Sequence, residues 1–106
     1  MAQRSFNPFH PGNPSQTITV GTSSAATALN GSTNNMRLAV ELQNAGSAVV
    51  FVEFGYSSGV TATVAASYPI LPGQSKLVTI PAGTTHVATI SGTASQTLYV
   101  TVGMGV

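Results

Sequence analysis

The one catalytic-looking signature in the chain is Gly55-Tyr56-Ser57-Ser58-Gly59, which fits the G-x-S-x-G turn that presents a serine nucleophile in hydrolytic enzymes. That chemistry requires a helix after the turn, then an acid and a histidine further along the chain. Here the turn is followed by the β-branched, proline-terminated VTATVAASYP, and no acidic residue occurs beyond Glu53. His10 and His86 are the only histidines, and without Cys or Asp they cannot complete even a three-ligand zinc site within one chain. Glu41 and Glu53 are the only carboxylates, and a glycosidase pair would have to face each other across a sugar cleft at about 5 to 9.5 Å. No segment is marked out to build that cleft. Gly103-Met104-Gly105 lacks the third glycine and the strand-to-helix setting of a dinucleotide site. These residues read more simply as a small-residue loop, a partly buried histidine, two carboxylates that are solvated or partnered by Arg37 and Lys76, and a tail. The expectation is a protein that is not an enzyme, with no cofactor and no metal.

Charge is scarce throughout. Arg4, Arg37, Glu41, Glu53 and Lys76 are the only formally charged side chains, 5% of the residues, against roughly a quarter in an ordinary soluble domain. Three scattered cations form no patch able to neutralise a run of phosphates or an anionic bilayer, so nucleic acid and membrane are not expected partners. The start, MAQRSFNPFHPG, has no apolar core of a signal peptide, and no apolar run is long enough to span a bilayer, which predicts a soluble chain. A net charge of +1 favours association, so a homo-oligomer is expected.

The elements that would carry these residues are strands. Ala, Val, Thr, Ser and Gly supply well over half of the chain, a mixture of strand formers and turn formers. Residues 1–15 stand apart as an extended arm. Pro8, Pro11 and Pro14 recur at the three-residue repeat of a polyproline II helix, and Phe6 and Phe9 share that spacing as two aromatic anchors. Phe6, Pro8, Phe9, His10 and Pro11 are therefore the candidate contact residues. Residues 16–106 form the body. Ile18 and Val20 alternate in QTITVG, and Met36, Leu38, Val40 and Leu42 alternate in MRLAVEL against Arg37, Ala39 and Glu41. Asn44-Ala45-Gly46-Ser47 reads as a turn closing a hairpin with the apolar run AVVFVEF, which belongs at the centre of a sheet or buried between subunits. TATVAA, SKLVTI, THVATI and QTLYVTVG continue the series, while SSAATALNG at 23–31 suits two helical turns or an irregular strand. Short strands spaced this closely predict an all-β fold, a β-sandwich of jelly-roll or related Greek-key type with an extended N-terminal arm.

Over residues 16–106, the succession TVGTSSAATAL, LQNAGSAVVFVEFG, IPAGTTHVA and LYVTVG resembles the small β-rich capsid decoration (cement) proteins of tailed bacteriophages. The resemblance implies a jelly-roll or other β-rich fold that sits as a dimer or trimer on the outside of the shell. Its partner would be the major capsid protein, and its place the virion exterior after synthesis in the host cytoplasm. It implies no individual residue roles. The competing expectations are another virion subunit, such as a head–tail connector or a tail or head-fibre component, and a glycan-binding module resting on Tyr56, Tyr68 and Tyr99.

Overall fold

The computed structural model describes residues 10–11, 15–29 and 38–104, and these contain nine strands and no helix. They are β1 (His10–Pro11), β2 (Gln16–Val20), β3 (Ala25–Ala28), β4 (Leu38–Asn44), β5 (Val50–Gly55), β6 (Tyr68–Ile70), β7 (Ser75–Ile80), β8 (His86–Ser91) and β9 (Gln96–Met104). Two antiparallel sheets result. The first has the order β1-β9-β4-β7, with β2 also on β9, and the second has the order β3-β8-β5-β6. Along one side of β9, β2 pairs with residues 96–100 and β1 with residues 103–104. The pairings nest: β2 with β9, β3 with β8, β4 with β7 and β5 with β6. From β2 onward, only β5 and β6 are consecutive strands within one sheet.

Alternation explains how the sheets face each other, because side chains two apart on a strand share a face. Ile18 and Val20 of β2, Leu98, Val100 and Val102 of β9, and Val40 and Leu42 of β4 turn inward from the first sheet. Val50 and Val52 of β5, Ile70 of β6 and Val87 of β8 meet them from the second. Each such fully buried aliphatic side chain contributes about 1.5–3 kcal/mol. Between them, Thr17, Thr19 and Tyr99 point outward and are exposed, which is the polar alternate of the same pattern. The apolar segment AVVFVEF does lie inside a sheet, as β5 between β8 and β6. SSAATALNG supplies β3 rather than a helix, since Ala25–Ala28 find a full ladder on Thr89 to His86 of β8.

Two expectations are corrected. The expected hairpin of MRLAVEL with AVVFVEF does not form, because β4 belongs to the first sheet and β5 to the second. Residues 44–48 instead carry the chain from one sheet to the other. The corner is held by side chains: Asn44 Nδ2 donates to Ala48 O at 2.9 Å and to Ile70 O at 2.8 Å, and Asn44 Oδ1 accepts from Gly46 N at 2.9 Å. Gln96 Oε1 accepts from Ser47 N at 2.6 Å and Ala48 N at 2.9 Å. A Cβ at Gly46 would collide with Gln96 Oε1, so a larger residue there has to push that side chain off the corner.

The second correction concerns TATVAA, which is not a strand. Residues 56–67 form a strap between β5 and β6 that reaches as far as Ser24, whose Oγ accepts from Ala62 N at 2.9 Å. Ser24 adjoins β3, at the far edge of the second sheet, so the strap must cross β5 and β8 over the outer face. This accounts for the complete burial of Ala88, whose side chain points away from the core, and for the burial of Ala62. Small side chains at Ala26, Ala62 and Ala88 permit that close approach, and Val64, the expected strand centre, is left exposed.

Candidate functional site

A concavity opens between the sheets along the β6/β7 edge, a cleft of about 650 Å³. It exists because the edge strands are unequal. β6 has three residues and β7 has six, so beyond Tyr68 the β5 residues Glu53 and Phe54, paired with β8 on their other side, have no strand beside them on the β6 side. The chain leaves the line of β6 at Ser67, where a turn is fixed by Ser67 N donating to Thr63 O at 3.1 Å and Thr63 N donating to Ser67 Oγ at 2.9 Å. Pro69 is compatible with this short edge strand, since an edge does not need its missing N–H.

Val52 and Phe54 line the cleft from the second sheet, and Val78 and Ile80 from the first. Its rim is more polar. Ser67 Oγ donates to Glu53 Oε1 at 3.0 Å, and no cation among the described residues pairs with that carboxylate. Tyr68 stands on the rim with 41% of its surface exposed, and Lys76 Nζ lies 5.1 Å from its ring centroid. That contact joins the two edge strands across the mouth, an arrangement worth about 0.5–1 kcal/mol where exposed. An apolar interior with one carboxylate at its lip suits an aromatic or aliphatic group followed closely by a cation or a hydrogen-bond donor.

The expected contact residues distribute unevenly. Phe6, Pro8 and Phe9 lie outside the described residues. His10 and Pro11 form β1, paired with Met104 and Gly103 of β9. Ser57 sits in the exposed strap, its Oγ accepting from Gly59 N at 3.2 Å, and no hydrogen bond joins it to His86 or a carboxylate. His86, half-buried on β8, contacts Thr85 Oγ1 through Nδ1 at 2.7 Å. Glu41 and Glu53 fall on different sheets, which removes the facing pair that a hairpin would have made conceivable. Among the described residues no three of His, Cys, Asp and Glu gather as a metal site. Sequence reasoning did not find the cleft itself, because it is created by the difference in length between two edge strands.

No protein-family model matches the chain, and no curated protein matches it. Among solved structures it is similar to one described as the crystal structure of PirA, with a TM-score of 0.56 and 15% sequence identity. The superposition covers 89% of this chain and 96% of that one. At this identity the likeness concerns the fold alone.

Proposed function

We propose that this chain is a structural subunit of a bacteriophage virion, a decoration protein that binds the outside of the assembled shell and ties neighbouring capsomers together. The body would be a jelly roll, a reading supported by the nested pairing of β2–β9, β3–β8, β4–β7 and β5–β6 across a five-stranded and a four-stranded layer. The observation that carries the functional reading is the character of the surface. Large apolar side chains stand exposed on loops and edges, with Tyr56 at 66%, Leu71 at 51% and Leu77 at 44%, on a chain with few charges to keep copies apart. Such a surface favours contact with protein, here the major capsid protein and other copies of the chain. The sequence resemblance to phage decoration proteins supports the same reading. A protein that binds the closed lattice and not its free subunits stabilises the shell by linkage, by an amount that grows with its concentration over its dissociation constant.

The test is occupancy of the particle that carries the chain. Quantitative mass spectrometry should count hundreds of copies per virion, and protein added to undecorated shells should raise their melting temperature. About a dozen copies would instead indicate a connector, whose site has the symmetry of one vertex. Exposure of Tyr68 beside Glu53 at the cleft mouth favours a second reading, glycan recognition. Binding of defined glycans on an array, abolished by Tyr68→Ala, would establish it.

A further inference from the structure

We infer that β7 is a pairing edge for a second copy of this chain, joined antiparallel about a two-fold axis with one Leu77 opposite the other. The ladder bonds of β4 show which backbone groups that edge offers. Asn44 N donates to Gln74 O at 3.0 Å, on the β7 side of β4, while Ala45 N donates to Thr97 O at 2.9 Å, on the β9 side. Backbone groups alternate in direction along a strand, so Leu38, Val40 and Leu42 also face β7. Their register partners Ile80, Val78 and Lys76 face back toward β4. The N–H and C=O groups of Ser75, Leu77 and Thr79 therefore point out from the edge, and among the described residues no strand pairs with them. All three side chains are exposed, Leu77 at 44%.

A row of open donors and acceptors takes an extended backbone, and this edge is complementary to itself. Pairing centred on Leu77 sets Ser75 against Thr79 of the other copy, so all three residues of each edge exchange both backbone bonds. It also lays one exposed leucine against the other and sets Lys76 opposite Val78. A centre at Lys76 would put the two lysines directly opposite each other, which is destabilising. A centre at Val78 would bring Ser75 opposite Pro81, which has no N–H to give, and would leave each Leu77 against a threonine. The lysine thus sets the register without closing the edge, its Nζ being drawn to the Tyr68 ring at 5.1 Å. The two-fold axis stands normal to the joined sheet, so both second sheets lie on one side of it, the two β6/β7 clefts face each other, and the contact closes at two copies. The pairing needs only copies of this chain, so it is tested without any shell, and its failure leaves the shell-binding proposal standing.

The chain has no cysteine, so single cysteines in the full-length protein report the register directly. Antiparallel partners that exchange both bonds have Cα atoms about 5.5 Å apart, inside the range a disulfide spans. Leu77→Cys is therefore expected to give a covalent dimer on mild oxidation, read on a non-reducing gel. Ser75→Cys alone and Thr79→Cys alone should not cross-link, since each would lie about 14 Å from its equivalent, but the two mixed should. In sedimentation equilibrium the intact protein is expected as a dimer. Thr79→Pro removes an outward N–H that β4 does not use, a change an edge strand tolerates, and should weaken association at least tenfold while thermal melting shows the chain still folded. Leu77→Lys, which sets like charges opposite each other, is the substitute should the proline variant not fold. The inference is overturned by an intact protein that stays monomeric, by variants that associate as the intact protein does, or by cysteines that cross-link alike at all three positions. A monomer whose attachment to shells falls with Thr79→Pro would give the edge to an extended segment of the shell, and overturns the self-pairing equally.

Discussion

Replacing Asn44 by alanine tests whether the corner between the sheets is held by its side chain or merely passes by it. The amide is fully buried and joins three places: Ile70 O on β6, Ala48 O just before β5, and Gly46 N within the corner. The bond to Ile70 O is buried, and its loss takes one of that carbonyl's two partners, the ladder bond from Val50 remaining, at a cost of about 1–1.5 kcal/mol. The other two bonds are partly buried, and water entering the vacated space would limit their loss to about 0.5–1 kcal/mol each. The sum is about 2–3.5 kcal/mol. A chain of this length is stable by roughly 5–15 kcal/mol, so the substitution removes a large fraction of the total. The neighbouring backbone bonds, Asn44 N to Gln74 O and Gly73 N to Asn44 O, survive in the variant, which isolates the side chain as the cause. Urea titration followed by far-ultraviolet circular dichroism should show the midpoint falling by about 1–3.5 M, given a slope of roughly 1–2 kcal/mol per M for a chain of this size. A loss below about 1 kcal/mol would refute the reasoning, since it would mean that the corner keeps its geometry without the amide.

Gly46→Ala should destabilise by about 1–3 kcal/mol through overpacking against Gln96, and by measurably less in a Gln96→Ser background, as a double-mutant cycle in urea would reveal. Ser24→Ala should cost about 1 kcal/mol and speed hydrogen exchange at the Ala62 amide while leaving the amides of β9 unchanged, which identifies the strap as a locally opening unit. On the proposed function, attachment to the shell should weaken little between low and moderate salt, because few ion pairs are available to be screened; a steep dependence in a pelleting assay would contradict this.

The two sheets were legible because alternation is a local property. Ile18 with Val20 and Val40 with Leu42 declare a buried face whatever strand lies beside them, and those residues are in the core. Pairing is not local. Asn44-Ala45-Gly46-Ser47 signals a reversal of direction, but β4 and β5 both have an apolar inner face, so the pattern fits a hairpin within one sheet as well as a crossing between two. The choice is made by Asn44 and Gln96, whose side chains satisfy corner backbone groups that ladder bonds do not reach. TATVAA misled for a related reason. Its Thr and Val favour strands, but Ala62, not Val64, is the residue that finds a place to be buried, on a sheet face made narrow by Ala26 and Ala88. The cleft was the least legible feature, since it arises from β6 stopping three residues short of β7's length.

These corrections bear on how so neutral a chain can be both a folded domain and a contact surface. The strap hides one outer sheet face under its own small residues, which leaves the exposed Tyr56 and Val64 on the strap itself rather than on the sheet. The opposite outer face is threonine-rich, with Thr17, Thr19 and Thr79 exposed around Tyr99 and Leu77. Neither face offers a flat apolar expanse, so strong contacts have to come from edges and recesses, where one side chain can be enclosed on several sides. The β6/β7 edge is such a place: β7 has no strand neighbour beyond β4 among the described residues, its Lys76 is engaged by Tyr68, and the space beside them is open. An edge with a blunting lysine resists indiscriminate strand addition. Recognition at such an edge has to draw on shape and a single carboxylate rather than on a field of charge, which is what a chain with five charged side chains has to work with.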